Sequence, residues 1–258
     1  MPGVDVGISA EDPTIAECLK PLGYATGQFG KNHLGDLNKY LPTVHGFDEF
    51  FGNLYPPERR GRARAPGLPD RGRGPEASQG VLTARGVIHS WATDEDTGEV
   101  DERYGPVGKQ RIQDTGPHAN SWPDGATTPF RSEKNTNWEG AFRIPEMIRW
   151  PGKIPAGVVS NEIIQHHDWF PTFLAAGGEP NIIEKLKNGH KVSLRGEEKE
   201  FKVHLDAFNL LPYLTGEVGK SPRRGMIYFS DDCDVLGIRV DNWKVVFMEQ
   251  RRRGTLQI

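Results

Sequence analysis

The stretch ATGQFGKNHLGD, residues 25–36, places a lysine and a histidine two positions apart between glycines. Glycine allows backbone N–H groups to approach an anion, Lys31 carries a compact positive charge, and His33 can donate a proton or a hydrogen bond. The same spacing also occurs in ordinary surface turns, where the lysine is incidental and the histidine caps the chain. The residues on either side decide between an anion-binding loop and such a turn.

The residues before this loop predict a helix followed by a strand. Asp12 and Pro13 are the residue types preferred at the N-cap and at the first helical position. An apolar stripe with helical spacing follows, and Gly23 is expected to end the helix. A short strand over residues 24–29 comes next. In α/β folds, ligands collect in loops beyond the carboxyl ends of such strands, which favours the anion-binding loop.

The second half of the chain contains further segments with regular patterns. Residues 140–151 alternate as a strand does, and residues 168–176 predict a helix with its aspartate as N-cap. Residues 184–202 are highly charged and are expected to form a loop. Three apolar segments near the C-terminus, the last two joined at Asp241-Asn242, predict a small antiparallel sheet.

The bulk composition argues against some classes of function. The 258 residues carry a formal net charge of −3, with a pI of about 6.3, which gives no electrostatic basis for binding nucleic acid or acidic membranes. No apolar run reaches the roughly 18 residues of a membrane span, and no signal-peptide pattern follows the first methionine. We therefore expect neither nucleic acid nor a membrane as a partner. Compartment and oligomeric state stay open.

Residues 57–80 differ in composition from the rest of the chain. They are rich in Arg, Pro and Gly, and Leu68 is their one large apolar residue. Such a segment buries too little apolar surface to order itself. It is interpreted either as a disordered insert or as sequence translated out of frame, and sequencing the gene would decide between the two.

Three blocks of sequence, in this order, carry recognisable motifs. The first, residues 14–55, runs from TIAE through GYAT and GKNHLG to LPTVHGFDEFFG. The second is TPFRSEKNTNWEGAFRIPEMIRWPGKIPAG, residues 128–157, and the third is DAFNLLPYLTGE, residues 206–217. Together these blocks resemble the type I sulfatases, the arylsulfatase family. The resemblance covers most of the chain outside residues 57–80.

This resemblance implies an α/β fold of the sulfatase and alkaline phosphatase type, a mixed sheet flanked by helices, with a small C-terminal antiparallel subdomain. The family hydrolyses small-molecule sulfate esters with a formylglycine made from Cys or Ser in a Cys/Ser-x-Pro-x-Arg motif, and with Ca²⁺. By resemblance, Lys31 and His33 are the catalytic and sulfate-binding pair of the loop, and Lys134 is the second sulfate-binding lysine. Asp114 stands where a metal-binding Asp-Asn-Gly is expected, although this chain has Asp-Thr-Gly.

Other parts of the family pattern do not occur in these residues. Neither cysteine and no serine lies in Cys/Ser-x-Pro-x-Arg, and no Asp-Asp metal pair precedes Gly30. Residues 115–118 carry either an Asn-to-Thr change or a junction at which central residues are missing. The chain is therefore expected to be incomplete, poorly stable and inactive alone, with most metal ligands absent. The alternatives are a non-catalytic binder of sulfate or sulfated ligands, and a degraded gene product.

The motifs divide the chain into four segments. Residues 1–56 are the N-terminal part of a sulfatase domain, and residues 57–80 are the insert. Residues 81–180 are the remainder of that domain, with an internal deletion near 115–118, and residues 181–258 are a truncated C-terminal subdomain.

Three further groups attract attention but are interpreted as structural. His45 is expected to order its loop rather than to contact substrate. The run His166-His167-Asp168 is assigned to helix capping rather than to a metal, because adjacent histidines point apart in most backbones. The acidic segment SDDCD, residues 230–234, is expected to be a turn.

Overall fold

The computed structural model describes most of the chain outside one long central stretch. The described residues are 5–35, 37–54, 88–92, 129–132, 136–194, 196–230 and 233–249. They fall into two compact units, the first made of Met1–Gln110 and Phe170–Ala207 and the second of Arg111–Trp169 and Phe208–Ile258. The division of the sequence at residues 56, 80 and 180 stays a prediction. Asp114, Lys134 and the segments 57–80 and 115–118 lie outside the described residues.

Helices α1 to α5 of the described part span Ile15–Leu19, Glu139–Phe142, Trp169–Ala176, Ile182–Asn188 and Leu211–Leu214. Strands β1 to β8 span Gly27–Lys31, Glu49–Asn53, Ile88–Trp91, His190–Leu194, Glu197–Phe201, Gly225–Phe229, Val235–Val240 and Trp243–Val246. Short 3₁₀ turns occupy Lys20–Leu22, Asn38–Tyr40 and His166–Asp168. None of the helices described here has the length and apolar composition that a membrane span requires.

The first unit contains two sheets. In one, β1 pairs in parallel with β2, and β2 pairs antiparallel with β3. In the other, β4 and β5 form an antiparallel hairpin. The larger apolar cluster of this unit packs the hairpin against three helices, and its buried members are Cys18, Leu174, Ile182, Leu186, Val192 and Phe201. A second cluster, Leu41, Phe50, Leu54 and Ile88, lies at the other sheet.

The first helix begins two residues later than the sequence predicted. Thr14, not Asp12, is the N-cap: its hydroxyl accepts a hydrogen bond from the Glu17 N–H at 3.1 Å. The Glu17 carboxylate in turn accepts one from the Thr14 N–H at 2.9 Å, which completes a capping box. Gly23 ends the helical segment as predicted, with φ of 86°. The following strand starts at Gly27 rather than at residue 24.

The predicted charged loop over residues 184–202 is wrong. This segment forms most of α4 and the β4–β5 hairpin, because Leu186, Val192 and Phe201 enter the core and only the remaining faces are charged. The predicted strand over residues 140–151 is also wrong. It begins with the helical turn α2, and the residues that follow have no strand partner in the described part and border a cleft of about 1170 Å³.

The second unit contains the predicted small antiparallel sheet. Strands β6, β7 and β8 pair in sequence order, and β7 turns into β8 at Asp241, whose φ is 50°.

The predicted helix over residues 168–176 is confirmed as α3, with the 3₁₀ turn of His166–Asp168 directly before it.

Candidate functional site

The Lys31 and His33 side chains lie at the carboxyl end of β1. Lys31 is the last residue of the strand and is half-buried, whereas His33 is exposed two residues further on. The lysine is therefore positioned by the sheet, and the histidine by the loop that follows. Both residues also take part in polar, ring or electrostatic contacts.

The loop has a defined conformation because Asn32 is buried inside it. The Asn32 Oδ1 accepts a hydrogen bond from the Leu34 N–H at 3.2 Å, and only 5% of the residue is exposed. The Leu34 carbonyl accepts one from the Ile8 N–H at 2.8 Å, which ties the loop to the N-terminal segment. Gly35 has φ of 109°, and a Cβ there would lie 2.5 Å from the Tyr40 ring. Asn32 and Gly35 thus fix the backbone that carries His33.

Two glycines allow β1 and β2 to lie close together just before Lys31. Gly30 pairs with Gly52 in the parallel ladder, and a Cβ on Gly52 would lie 1.6 Å from the Gly30 carbonyl oxygen. Gly30 itself has φ of 113°, a conformation that favours glycine. The glycines of the motif therefore serve backbone geometry. Whether their N–H groups contact an anion stays a prediction.

His45 has the structural role that the sequence favoured. Its ring is buried, and Nε2 donates to the Lys39 carbonyl oxygen at 3.0 Å, since a carbonyl can only accept. Nδ1 is buried as well and has no hydrogen-bond partner among the described residues. The His45 carbonyl accepts a hydrogen bond from the Thr14 hydroxyl at 2.6 Å, so the loop is joined to the start of α1.

In the second unit, the segment that follows Lys134 is held by a charged cluster around Glu139. This carboxylate accepts hydrogen bonds from Arg143 at 2.9 Å, from Tyr228 and Lys244 at 3.0 Å each, and from Arg239. Burial alone would raise the pKa of the Glu139 carboxyl, but the hydrogen bonds from Lys244, Arg143 and Tyr228 outweigh it and hold that pKa below its ordinary value. Burial, reinforced by the negative Glu139, raises the pKa of the Tyr228 hydroxyl.

The residues next to Glu139 extend this anchorage. Asn137 is completely buried and donates from Nδ2 to the Met248 carbonyl at 2.9 Å. The Trp138 indole N–H donates to Glu249 at 2.9 Å, and the Arg131 guanidinium stacks 3.6 Å from the centre of an indole ring. The Asn-Trp-Glu part of the second motif therefore acts as a structural anchor on the sheet of its own unit.

The histidine pair followed by Asp168 does not form a metal site. Asp168 is fully buried and accepts two hydrogen bonds of 2.6 Å from Arg223, one of 2.8 Å from the Gln165 N–H and one of 2.9 Å from the Phe208 N–H. His167 Nε2 lies 2.8 Å from the same guanidinium and must accept, because the guanidinium can only donate. The capping prediction explains the Gln165 contact but misses the ion pair, for which no local pattern exists.

No metal centre is apparent in the described residues. Within these ranges, no group of three or more His, Cys, Asp or Glu side chains is arranged to hold a metal ion. Cys18 belongs to the apolar core, and burial raises the pKa of its thiol to about 12. Asp114 and Lys134 lie outside the described residues, so their roles stay predictions.

Comparisons with known proteins identify the family. A family model described as Sulfatase matches residues 99–179. An arylsulfatase from Hemicentrotus pulcherrimus is 26% identical over 98% of this chain and 55% of its own length. The N-acetylgalactosamine-6-sulfatase of Canis lupus familiaris is 26% identical over 93% of this chain and 55% of its own length. These similarities support a type I sulfatase family for this chain. The identification predicted from the three motif blocks is confirmed.

The sulfatase fold is confirmed as well. The crystal structure of the PsFucS1 sulfatase from Pseudoalteromonas sp. matches with a TM-score of 0.68 and 18% sequence identity, over 96% of this chain and 63% of that chain. This sulfatase-family chain spans about half the length of the curated relatives it matches. The alignment with the Hemicentrotus protein runs over 326 residues, more than the 258 of this chain, so the relative has residues inside the aligned region that this chain lacks.

Proposed function

We propose that this sulfatase-family chain binds the sulfate group of small-molecule sulfate esters, and that the site to which it belongs hydrolyses them in the manner of an arylsulfatase. The observation that carries the proposal is the loop after β1. Its backbone is fixed by Asn32 and Gly35, and it carries a half-buried lysine and an exposed histidine at the carboxyl end of a strand that is parallel to its neighbour.

Each side chain has a role that its chemistry supports. The Lys31 ammonium, joined by Lys134, neutralises the negative sulfate oxygens on which charge increases as the ester bond breaks. His33 donates a proton or a hydrogen bond to the oxygen of the departing alcohol. A half-buried lysine binds an anion more strongly than a fully solvated one does, because less water screens its charge.

We propose that the chain alone binds sulfate esters without turning them over. Formylglycine requires Cys/Ser-x-Pro-x-Arg, which does not occur in the sequence, and the buried thiol of Cys18 has a pKa raised to about 12, which disfavours the nucleophilic thiolate. Calcium is the metal that the family resemblance implies. The described residues do not fit such a site, since they assemble no group of three His, Cys, Asp or Glu side chains that could hold it.

Isothermal titration calorimetry with p-nitrophenyl sulfate, with and without added Ca²⁺, tests the binding proposal. Lys31→Ala and Lys134→Ala are each expected to weaken binding by about tenfold or more, because each removes a charge-assisted hydrogen bond. Lys191→Ala is the matched control, since Lys191 is an exposed lysine on β4. Equal affinity of all three variants would overturn the assignment of the loop.

Release of p-nitrophenol by the same samples tests the lack of turnover. Catalytic release that is lost in His33→Ala would show that the chain is an enzyme without a recognisable formylglycine motif. Binding without release supports the non-catalytic role. Absence of both binding and release would favour the degraded gene product.

A further inference from the structure

The aromatic ring of Tyr40 lies directly against the loop that carries His33. Tyr40 ends the 3₁₀ turn Asn38–Tyr40 and is only partly exposed. A Cβ on Gly35 would lie 2.5 Å from the Tyr40 ring, so the ring packs on the loop backbone two residues beyond His33. The contact is possible because glycine has no side chain and adopts the φ of 109° found there. The ring therefore limits where the loop backbone can lie.

The same ring also contacts the N-terminal segment of the chain. A Cβ on Gly7 would lie 2.5 Å from the Tyr40 ring, and one on Gly35 would lie 2.9 Å from the Gly7 Cα. The ring and the two glycines thus pack directly against one another. Beside them, the Ile8 N–H donates to the Leu34 carbonyl oxygen at 2.8 Å. The N-terminal segment and the loop are therefore joined by one ring as well as by one backbone hydrogen bond.

Polar contacts at the edge of the ring help to orient it. The Tyr40 hydroxyl donates to the Asp5 carboxylate at 2.6 Å, and the Lys39 ammonium forms an ion pair with the same carboxylate. The hydrogen bond to Asp5 raises the pKa of the Tyr40 hydroxyl, which therefore stays a donor at neutral pH. The Asp5 and Lys39 side chains are exposed, so their ion pair contributes little. The packing of the ring on the two glycines is expected to matter more than these charges.

The backbone that presents Tyr40 is itself held in place. The Tyr40 N–H donates to the Leu37 carbonyl oxygen at 2.9 Å, and the carbonyl oxygen of Lys39 accepts from the buried His45 ring at 3.0 Å. His45 in turn is joined to the Thr14 hydroxyl at the start of α1. A tyrosine has only two side-chain torsions, so a fixed backbone leaves its ring few positions. Tyr40 is thus a rigid support for the loop.

We propose that Tyr40 is a positioning residue for His33. This role rests on the proposed function, in which His33 contacts the sulfate ester. Lys31 is the last residue of β1, where the sheet holds it, whereas His33 lies in the loop that packs on the ring. Removal of the ring is therefore expected to displace His33 and to leave Lys31 in place. Tyr40 then affects binding only through His33 and contacts no ligand itself.

NMR spectra of the ligand-free full chain test the positioning directly. The ring Cε1–Hε1 resonance of His33, assigned with His33→Gln, is expected to shift or broaden in Tyr40→Leu. Tyr40→Phe keeps the ring and is expected to restore the parent resonance. Tyr24→Leu is the matched control, because Tyr24 is an exposed tyrosine of the same unit. The resonance of His190, partly buried on β4, reports whether the unit of each variant is still folded.

Gly7→Ala provides a second perturbation that changes no residue of the loop or of the 3₁₀ turn. Its methyl group would lie 2.5 Å both from the Tyr40 ring and from the Leu34 carbonyl oxygen, so the ring or the loop must move. The His33 resonance is expected to shift as it does in Tyr40→Leu. A parent-like His33 resonance in both variants would overturn the proposal.

Double-mutant cycles, with p-nitrophenyl sulfate binding measured by calorimetry, test whether Tyr40 acts through His33. Tyr40→Leu is expected to weaken binding about fivefold, as loss of one hydrogen bond does, and to have no further effect in His33→Ala. In Lys31→Ala the loss of about fivefold is expected to remain.

The two measurements separate failure of the positioning role from failure of the proposed function. A loss of affinity that persists when Tyr40→Leu is added to His33→Ala would overturn the positioning role, because Tyr40 would then act by another route. A parent chain that does not bind p-nitrophenyl sulfate would overturn the proposed function. In that case the resonances of the ligand-free chain still decide whether Tyr40 fixes the place of His33.

Discussion

The two units of this chain differ in the contacts that stabilise their interiors. The first unit has an extended apolar core in which helices and a hairpin bury side chains that are nearly inaccessible to water. In the described part of the second unit, two charged clusters, centred on Glu139 and Asp168, join residues that are far apart in the sequence. The buried apolar residues of that part are Ala141, Leu210, Tyr228 and Leu236.

This difference determines how each unit responds to substitution. Apolar contacts add up over many neighbours, so a cavity in the first unit removes only part of the stabilisation. Loss of a charged partner of a buried carboxylate is strongly destabilising, because an unpaired charge inside a protein is very unfavourable. The second unit is therefore expected to depend strongly on the single residues of its two charged clusters, and to depend on pH.

The largest effect is expected at the buried ion pair of the second unit. Arg223→Met removes both 2.6 Å hydrogen bonds to Asp168 and leaves a fully buried carboxylate without a counter-charge. We expect a loss of about 3–5 kcal/mol in the free energy of unfolding. Urea unfolding followed by tryptophan fluorescence measures it.

The neighbouring arginine provides the control for this prediction. Arg224→Met breaks an ion pair with Asp241 in which the side chains are 74% and 49% exposed. Surface pairs contribute at most about 1 kcal/mol. If the two methionine variants lose the same stability, the distinction between a buried and an exposed pair does not hold in this unit.

The first unit is expected to respond more moderately to loss of a core side chain. Leu186 is completely buried, and Leu186→Ala leaves a cavity that neighbouring residues fill only partly. We expect a loss of about 2–4 kcal/mol. Phe173→Ala, at a half-exposed position of α3, is the comparison variant. A similar loss in both variants would mean that the core is not packed as described.

The Glu139 cluster gives the second unit a pH dependence. The carboxyl's folded pKa lies below its unfolded value of about 4.3, so its stabilisation is present above that pH and is lost as pH falls through the folded pKa. Glu139→Gln is expected to cost about 2 kcal/mol at pH 7 and progressively less below about pH 4. Unfolding of both proteins from pH 7 to pH 3 measures the difference. A difference that does not change with pH would contradict the assignment.

The sequence predicts correctly those features of the structure that depend on residues close together along the chain. The end of the first helical segment at Gly23, the C-terminal sheet and the turn at Asp241 follow from local patterns, and the family follows from the order of the motifs. The Asp168–Arg223 pair joins residues 55 positions apart, and no local pattern reports it. Residues 140–151 do have the alternation of a strand, but a strand also needs a partner, which the described part does not provide.

The smallest loss of stability is expected at the capping box of α1. Thr14→Ala removes the acceptor for the Glu17 N–H and the donor to the His45 carbonyl. Loss of an N-cap costs about 1 kcal/mol, and Thr14→Ser should restore most of it because serine keeps the hydroxyl. Ser9→Ala, which removes a hydroxyl that accepts from the Glu11 N–H in an exposed turn, is the control. If Thr14→Ala costs no more than Ser9→Ala, this helix is held by the core alone, and the capping box is a consequence of its packing.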